Sequence, residues 1–203
     1  MGGLYTPIGL KPTLFWPGSM GGANWGSGSF DPETHLFYIN SSNIGNFQYM
    51  AKAPEGSDVA YRARGATKSG TKFVDQDGYP CQSPPWGALT AINMDSGEIK
   101  WQSTLGVVDA LLAKGIPPTG VSNLGGSLIT GGGLLFIAAT NDSRFRAFDK
   151  STGKEIWTVM LPAVAHSTPM TYTGPTSKKQ FVVIAVGGIG KKYSDTLIAY
   201  SLP

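Results

Sequence analysis

Ala91-Ile92-Asn93-Met94-Asp95-Ser96-Gly97-Glu98-Ile99-Lys100-Trp101 and Ala147-Phe148-Asp149-Lys150-Ser151-Thr152-Gly153-Lys154-Glu155-Ile156-Trp157 align without a gap at a constant offset of 56 residues. Each stretch reads as a β-hairpin. A strand ends in Asn or Asp, Ser/Thr-Gly closes a turn, and a second strand carries Ile and Trp. The glycine supplies the positive φ that such a turn requires. The tryptophan is suited to packing one strand pair against its neighbour. Thr196-Leu197-Ile198-Ala199-Tyr200-Ser201 repeats the first strand once more.

Upstream of each hairpin lies a further apolar strand: Leu36 to Asn40, Leu134 to Ala139 and Phe181 to Val186. Each follows a turn (Asp31 to Thr34, Gly131 to Gly133, Gly174 to Ser177), and a strand precedes each turn at Gly26 to Phe30, Ser127 to Thr130 and Thr168 to Tyr172. The repeating unit is therefore four antiparallel strands, A to D, in about 50 to 60 residues, the pattern of a β-propeller blade. Continuously apolar B strands suit sheets buried on both faces. A β-sandwich would explain the strands but not the gapless repeat. The expected fold is all-β, a propeller of four-stranded antiparallel blades. The first blade spans residues 1–106 with a long insertion at 42–86, the second 120–162, and an incomplete third 163–203.

Composition agrees. The 203 residues include 28 glycines and 14 prolines, 41% are hydrophobic, 11% aromatic and only 14% charged. That is too apolar for a disordered chain, and the glycines lack the period of three of collagen. The net charge of +3 is dispersed, with Lys178-Lys179 and Lys191-Lys192 as its densest spots. This is no nucleic-acid footprint. Cys81 stands alone, so no internal disulfide forms and thiolate zinc sites are excluded. His35 and His166 are the only histidines, too few for a histidine-rich metal centre. Apolar runs fall well short of the roughly 20 residues that span a bilayer. The first residues lack the basic and apolar regions of a signal peptide, so any export signal is expected to lie outside this sequence.

In antiparallel blades the A–B and C–D turns share one end, and the B–C and D–A connections share the other. The first end receives short polar turns. The second receives Pro17 to Trp25, the insertion, Val121 to Gly126, Thr140 to Arg144, Pro162 to Pro169 and Gly187 to Asp195. These segments mix glycine with amides, hydroxyls, a histidine and lysines, and binding residues concentrate on loops held by a rigid scaffold. Bland roles compete. The glycines allow close strand packing, Asn24-Trp25 serves as turn amide and core indole or else as a ligand contact, and His166 bonds a neighbouring loop or a substrate. No strand–helix context makes the glycines a dinucleotide fingerprint, and no nucleophile elbow or paired carboxylates stand out. Asp142, Asp149 and Asp195 fall at repeat-equivalent or turn positions, where structural roles are expected.

Across these residues the chain resembles the pyrroloquinoline-quinone (PQQ)-dependent dehydrogenases, in particular the C-terminal part of the membrane-bound glucose and quinate dehydrogenase branch. The resemblance runs through Pro17-Gly18-Ser19-Met20-Gly21-Gly22-Ala23-Asn24-Trp25, Pro80-Cys81-Gln82-Ser83-Pro84-Pro85-Trp86-Gly87, Asn123-Leu124-Gly125-Gly126, and Leu135 to Thr140 continuing into Arg144-Phe145-Arg146-Ala147-Phe148-Asp149. It is most specific in Leu161-Pro162-Ala163, Thr168-Pro169-Met170-Thr171-Tyr172, Gly187-Gly188 and the tail Ala199 to Pro203.

The resemblance implies an eight-bladed propeller, of which this length holds roughly two and three-quarter blades at about 50 to 70 residues each. It implies PQQ over the central axis with calcium or magnesium beside it, oxidation of a sugar, polyol or other alcohol, and transfer of electrons to a quinone or cytochrome. By position, Asn24, Ser19, Trp25, Gly187 and Gly188 would meet the cofactor, and His166, Ile189 and Lys191 the substrate. The catalytic carboxylate and the metal ligands would lie in earlier blades, so the chain alone would be inactive. The remaining blades, or another copy of the chain, are the expected partners, and a periplasmic, membrane-associated enzyme is the expected setting. Two departures argue against glucose as substrate. Ile189 stands where glucose-oxidising relatives carry histidine, and Val164-Ala165-His166-Ser167 replaces Gly-Gly-Gln-Ala. The alternative is a non-catalytic, propeller-like binding or assembly module.

Overall fold

The structure is a computed structural model that describes residue 3 and residues 5–67, 70–189 and 192–201. In chain order its elements are β1 (Thr13–Phe15), β2 (Gly28–Asp31), β3 (Leu36–Ser42), β4 (Asn46–Lys52), β5 (Tyr61–Gly65), β6 (Gly87–Asn93), β7 (Ile99–Thr104), a one-turn helix α1 (Asp109–Leu112), β8 (Ser127–Ile129), β9 (Leu134–Ile137), β10 (Arg144–Asp149), β11 (Glu155–Met160), β12 (Met170–Thr173), β13 (Gln180–Ile189) and β14 (Lys192–Ser201). They form four antiparallel sheets. The chain divides into two compact units, residues 23–42 with 84–203 and residues 1–22 with 43–83.

The larger unit contains three blade sheets, ordered β2-β3-β6-β7, β8-β9-β10-β11 and β12-β13-β14. Two hydrophobic layers separate them. Leu36, Tyr38, Leu89, Ala91 and Leu105 pack against Leu135, Ile137, Ala139 and Phe148, all at most 7% exposed. Phe145, Leu161, Ala163 and Ala165 pack against Val182, Ile184 and Val186. A large apolar side chain fully buried in such a layer stabilises the fold by about 1.5–3 kcal/mol, so face-to-face stacking of sheets is the dominant force here. The four-stranded antiparallel blades and their stacking are those of a partial β-propeller.

The repeat is reproduced in detail. In both hairpins the register shifts at the same place, between Ala91 and Ile92 and between Ala147 and Phe148. Asn93 Oδ1 accepts from the Asp95 and Ser96 amides at 2.8 and 3.1 Å, and Asp149 Oδ1 accepts from those of Ser151 and Thr152 at 2.9 and 2.8 Å. These side-chain caps hold the turns. Gly97 and Gly153 then take φ of +76° and +71°. Gly153 has a second constraint, since a Cβ there would collide with the Trp101 ring. That tryptophan joins neighbouring blades: its Nε1 donates to the Lys150 carbonyl at 3.1 Å. Trp157 repeats the move by packing edge-on against Tyr200 of the next sheet, with centroids 5.4 Å apart.

The smaller unit is built from the insertion together with the first residues of the chain. It contains a three-stranded sheet, β1-β4-β5. Trp16 and Phe47 meet Phe73 edge-on at 5.6 and 6.0 Å, an aromatic cluster that gives this unit its own small core.

Candidate functional site

The turn end of the blades is tied down on itself. Asp31 is buried at 2% exposure and receives the Lys150 ammonium at 2.7 Å and the Thr34 hydroxyl at 2.7 Å. The Lys150 bond holds the Asp31 carboxyl below its ordinary value, and Asp31 in turn raises Lys150. The His35 and Gly133 carbonyls, just before β3 and β9, accept from the Met94 and Lys150 amides at 3.0 Å each. Asp149, with four donors from Ser151 and Thr152, is lowered to about 2. Both carboxylates are accounted for by the bonds that hold the turns.

The opposite end gathers the longer connections of the larger unit. The Leu124 amide donates to the Ala139 carbonyl at 3.1 Å, the Ala139 amide to Ala165 at 2.9 Å, and the Gly188 amide to Val164 at 2.8 Å. The segments around residues 123–126, 139–142, 163–168 and 186–188 are thereby linked in one chain of backbone bonds. Gly26 meets Gly126 so closely that a Cβ on Gly126 would collide with the Gly26 carbonyl oxygen, so glycine is required there by close approach.

Two polar networks brace these loops. Asp142 and Arg146 form a buried ion pair, their side chains 3 and 2% exposed. Asp142 also accepts from the Thr140 hydroxyl at 2.6 Å and the Val107 amide at 2.9 Å. Burial raises the Asp142 pKa, but the bonds and charge of Arg146 outweigh it and the net direction is down. Arg144 reaches Asp109 of α1 at 2.6 Å. In the second network Asn40 Nδ2 donates to Asn123 Oδ1 at 2.7 Å and to the Gly125 carbonyl at 2.8 Å. Ser42 bonds the Asn123 backbone. Asn40 Oδ1 is buried without a partner among the described residues.

The expected site residues distribute unevenly. Asn24 Oδ1 accepts the Trp25 amide at 2.8 Å, so the turn-amide role is present and its Nδ2 remains to donate. Trp25 is 68% exposed and is not a core indole. Gly187 is exposed, and a Cβ there would meet no described atom within 4 Å beyond its chain neighbours. Gly188 takes φ of +74° at a bulge in β13. His166 is half-buried, and its Nε2 lies 2.8 Å from Asn141 Oδ1. Desolvation pushes the imidazole below its ordinary pKa. Ile189 pairs with Lys192 near the tip of the β13–β14 hairpin, and Lys191 lies outside the described residues. Ser19 belongs to the smaller unit, where its Oγ accepts from Asn46 Nδ2 at 2.9 Å.

Sequence reasoning missed the Asp142–Arg146 pair, the Asn40–Asn123 amide pair and the partner of His166. An arginine inside the apolar run Arg144 to Phe148 was the available signal for the first, because a charge on a strand buried on both faces requires a partner.

Trp25 offers an exposed aromatic face, Asn24 a free amide donor, and Gly187 open space beside the backbone. Among the described residues no group of three or more His, Cys, Asp or Glu side chains could by itself hold a divalent ion.

Residues 1–182 match the family described as "PQQ: Glucose/ethanol/alcohol dehydrogenase, beta-propeller domain". The chain is 38% identical to the quinate/shikimate dehydrogenase (quinone) of Acinetobacter baylyi over 98% of its own length and 28% of that protein's. It is 34% identical to quinoprotein glucose dehydrogenase A of Acinetobacter calcoaceticus, over 99% and 27% of the respective lengths. Among solved structures, a europium-containing methanol dehydrogenase aligns with a TM-score of 0.65 and 26% identity, covering 88% of this chain and 27% of that one. The chain thus spans little more than a quarter of the relatives it matches.

Proposed function

The chain belongs to the PQQ-dependent dehydrogenase β-propeller family, and from that premise we propose that it supplies blades to an enzyme oxidising the hydroxyl of a sugar, polyol or other alcohol. PQQ, when bound, takes up the two electrons and two protons that convert the carbinol to a carbonyl. The blades presented here contribute positioning. Asn24 Nδ2 would donate a hydrogen bond to the quinone, and Trp25 and the Gly187-Gly188 backbone would help to hold it. On the resemblance, His166, Ile189 and Lys191 are the candidate substrate residues. Ser19 joins the cofactor set on the resemblance alone. The base and the calcium or magnesium ligands come from other blades, and a quinone or cytochrome receives the electrons, in a periplasmic setting.

The observation that carries this reading is the free Asn24 Nδ2 donor beside the exposed Trp25, within a chain whose family match runs through residue 182. Further blades are the partners. The β12-β13-β14 sheet exposes Met170, Tyr172 and Leu197 at 56, 43 and 72%, and the first blade exposes Phe30 and Ile99 at 50 and 62%. Unpaired apolar sheet faces of this kind associate.

Dye-linked oxidation of a polyol panel, with PQQ and calcium, tests the proposal. The 203-residue chain alone gives no turnover, and restoring the remaining blades gives PQQ binding and oxidation. A complete propeller that binds no PQQ would instead support the scaffold reading.

A further inference from the structure

We infer that Asn141 fixes the tautomer of His166 so that the bare Nδ1 accepts a hydrogen bond from a hydroxyl of the substrate; this rests on the function proposed above. An amide carbonyl can only accept. With Asn141 Oδ1 2.8 Å from Nε2, the ring proton resides on Nε2, and Nδ1 is left with a lone pair. No described residue donates to that nitrogen. The choice of proton position is thus set by the partner of the other nitrogen.

Both members of the pair are held from behind. The Asn141 amide donates to the Ser122 carbonyl at 3.2 Å. The preceding Thr140 is buried at 1% exposure and bonds both Asp142 and Arg146. On the other side, Ala165 accepts from the Ala139 amide, Ser167 Oγ donates to the Ala185 carbonyl at 2.8 Å, and the His166 carbonyl abuts Gly125, where a Cβ would stand 2.7 Å away. The segments that carry the two side chains therefore cannot shift without breaking packed backbone. Desolvation of the ring favours the neutral form, and a neutral acceptor selects a hydroxyl over a carboxylate. His166 is a specificity residue, and Asn141 is the residue that positions it.

Two measurements on the PQQ-loaded protein, with the remaining blades restored, test this. Long-range proton–nitrogen correlation of histidine-labelled protein at neutral pH will show His166 in the Nε2-protonated form, and Asn141→Ala will produce a mixture of tautomers. His166→Phe will raise KM for the preferred alcohol by roughly 10-fold, as loss of one acceptor implies, while kcat stays within about 2-fold. His166→Gln, which keeps an acceptor, will recover most of the loss. A proton found on Nδ1 in the wild type, or an unchanged KM in His166→Phe, overturns the inference. A wild-type protein with its remaining blades restored that oxidises no alcohol overturns the functional reading and the substrate half of this one, while the nitrogen shifts still judge the tautomer separately.

Discussion

The two ends of the blades use similar residues for opposite purposes. At the turn end, the carboxylates of Asp31 and Asp149, the Lys150 ammonium and Asn93 Oδ1 are bonded inside the protein. At the loop end, Asn24 Nδ2, His166 Nδ1 and the exposed Trp25 are left available on a braced backbone. Rigid backbone with unsatisfied side chains is what a preorganised site needs. Polar residues are therefore poor guides to function until their partners are known.

The largest effect should come from removing the brace beneath the loop end. Asp142→Ala leaves the buried Arg146 with the half-exposed Glu155 as its remaining anionic partner among the described residues, and breaking a buried pair in this way costs about 3 kcal/mol. Thermal unfolding should show a marked drop in Tm, with the Thr140–Asn141 loop the first to lose amide protection. A wild-type Tm would mean that the loop end is not braced as described.

Next in size is the pH dependence of the turn-end latch. Asp31 is lowered and Lys150 raised in the folded state. The carboxylate contribution is complete above the unfolded pKa, about 3.9, and is lost as pH falls through the folded value. The lysine contribution is complete below its unfolded pKa, about 10.4, and is lost as pH rises through the folded value. Stability should therefore be flat between those limits as far as this pair is concerned, and Asp31→Asn should remove the alkaline limb.

Smaller still, Asn93→Ala removes one turn cap and should cost about 1 kcal/mol without altering cofactor affinity. If it weakens PQQ binding as well, the separation of the two ends fails. Beyond both ends, light scattering of the isolated chain should show self-association through the open sheet faces, and Leu197→Lys should reduce it.

The hairpins were legible because turn chemistry is local. Asn93 with Gly97 and Asp149 with Gly153 place cap and positive-φ residue at fixed spacing, and the 56-residue offset did the rest. The stacking tryptophans were legible for the same reason. The β1-β4-β5 sheet was not. Its β5 strand, Tyr61–Gly65, is almost wholly exposed, so it carries no apolar alternation, and β1 pairs with β4 across the whole of β2 and β3. Distance along the chain also hides Asn40 from Asn123, which are 83 positions apart. At the loop end, the residue types were readable, but which of them remained unsatisfied depended on partners such as Asn141, which only the folded chain reveals.

If the loop end of these blades meets the cofactor while the turn end only holds the blades together, Asn24→Asp should separate the two roles. This change keeps an oxygen that caps the Trp25 amide and replaces the Nδ2 donor with a charged carboxylate oxygen that can only accept. Titration of the complete protein with PQQ, followed by quenching of tryptophan fluorescence, reads the outcome. The expected result is an unchanged Tm and a PQQ affinity weakened roughly 10-fold; an affinity equal to that of the wild type would contradict a cofactor-facing loop end.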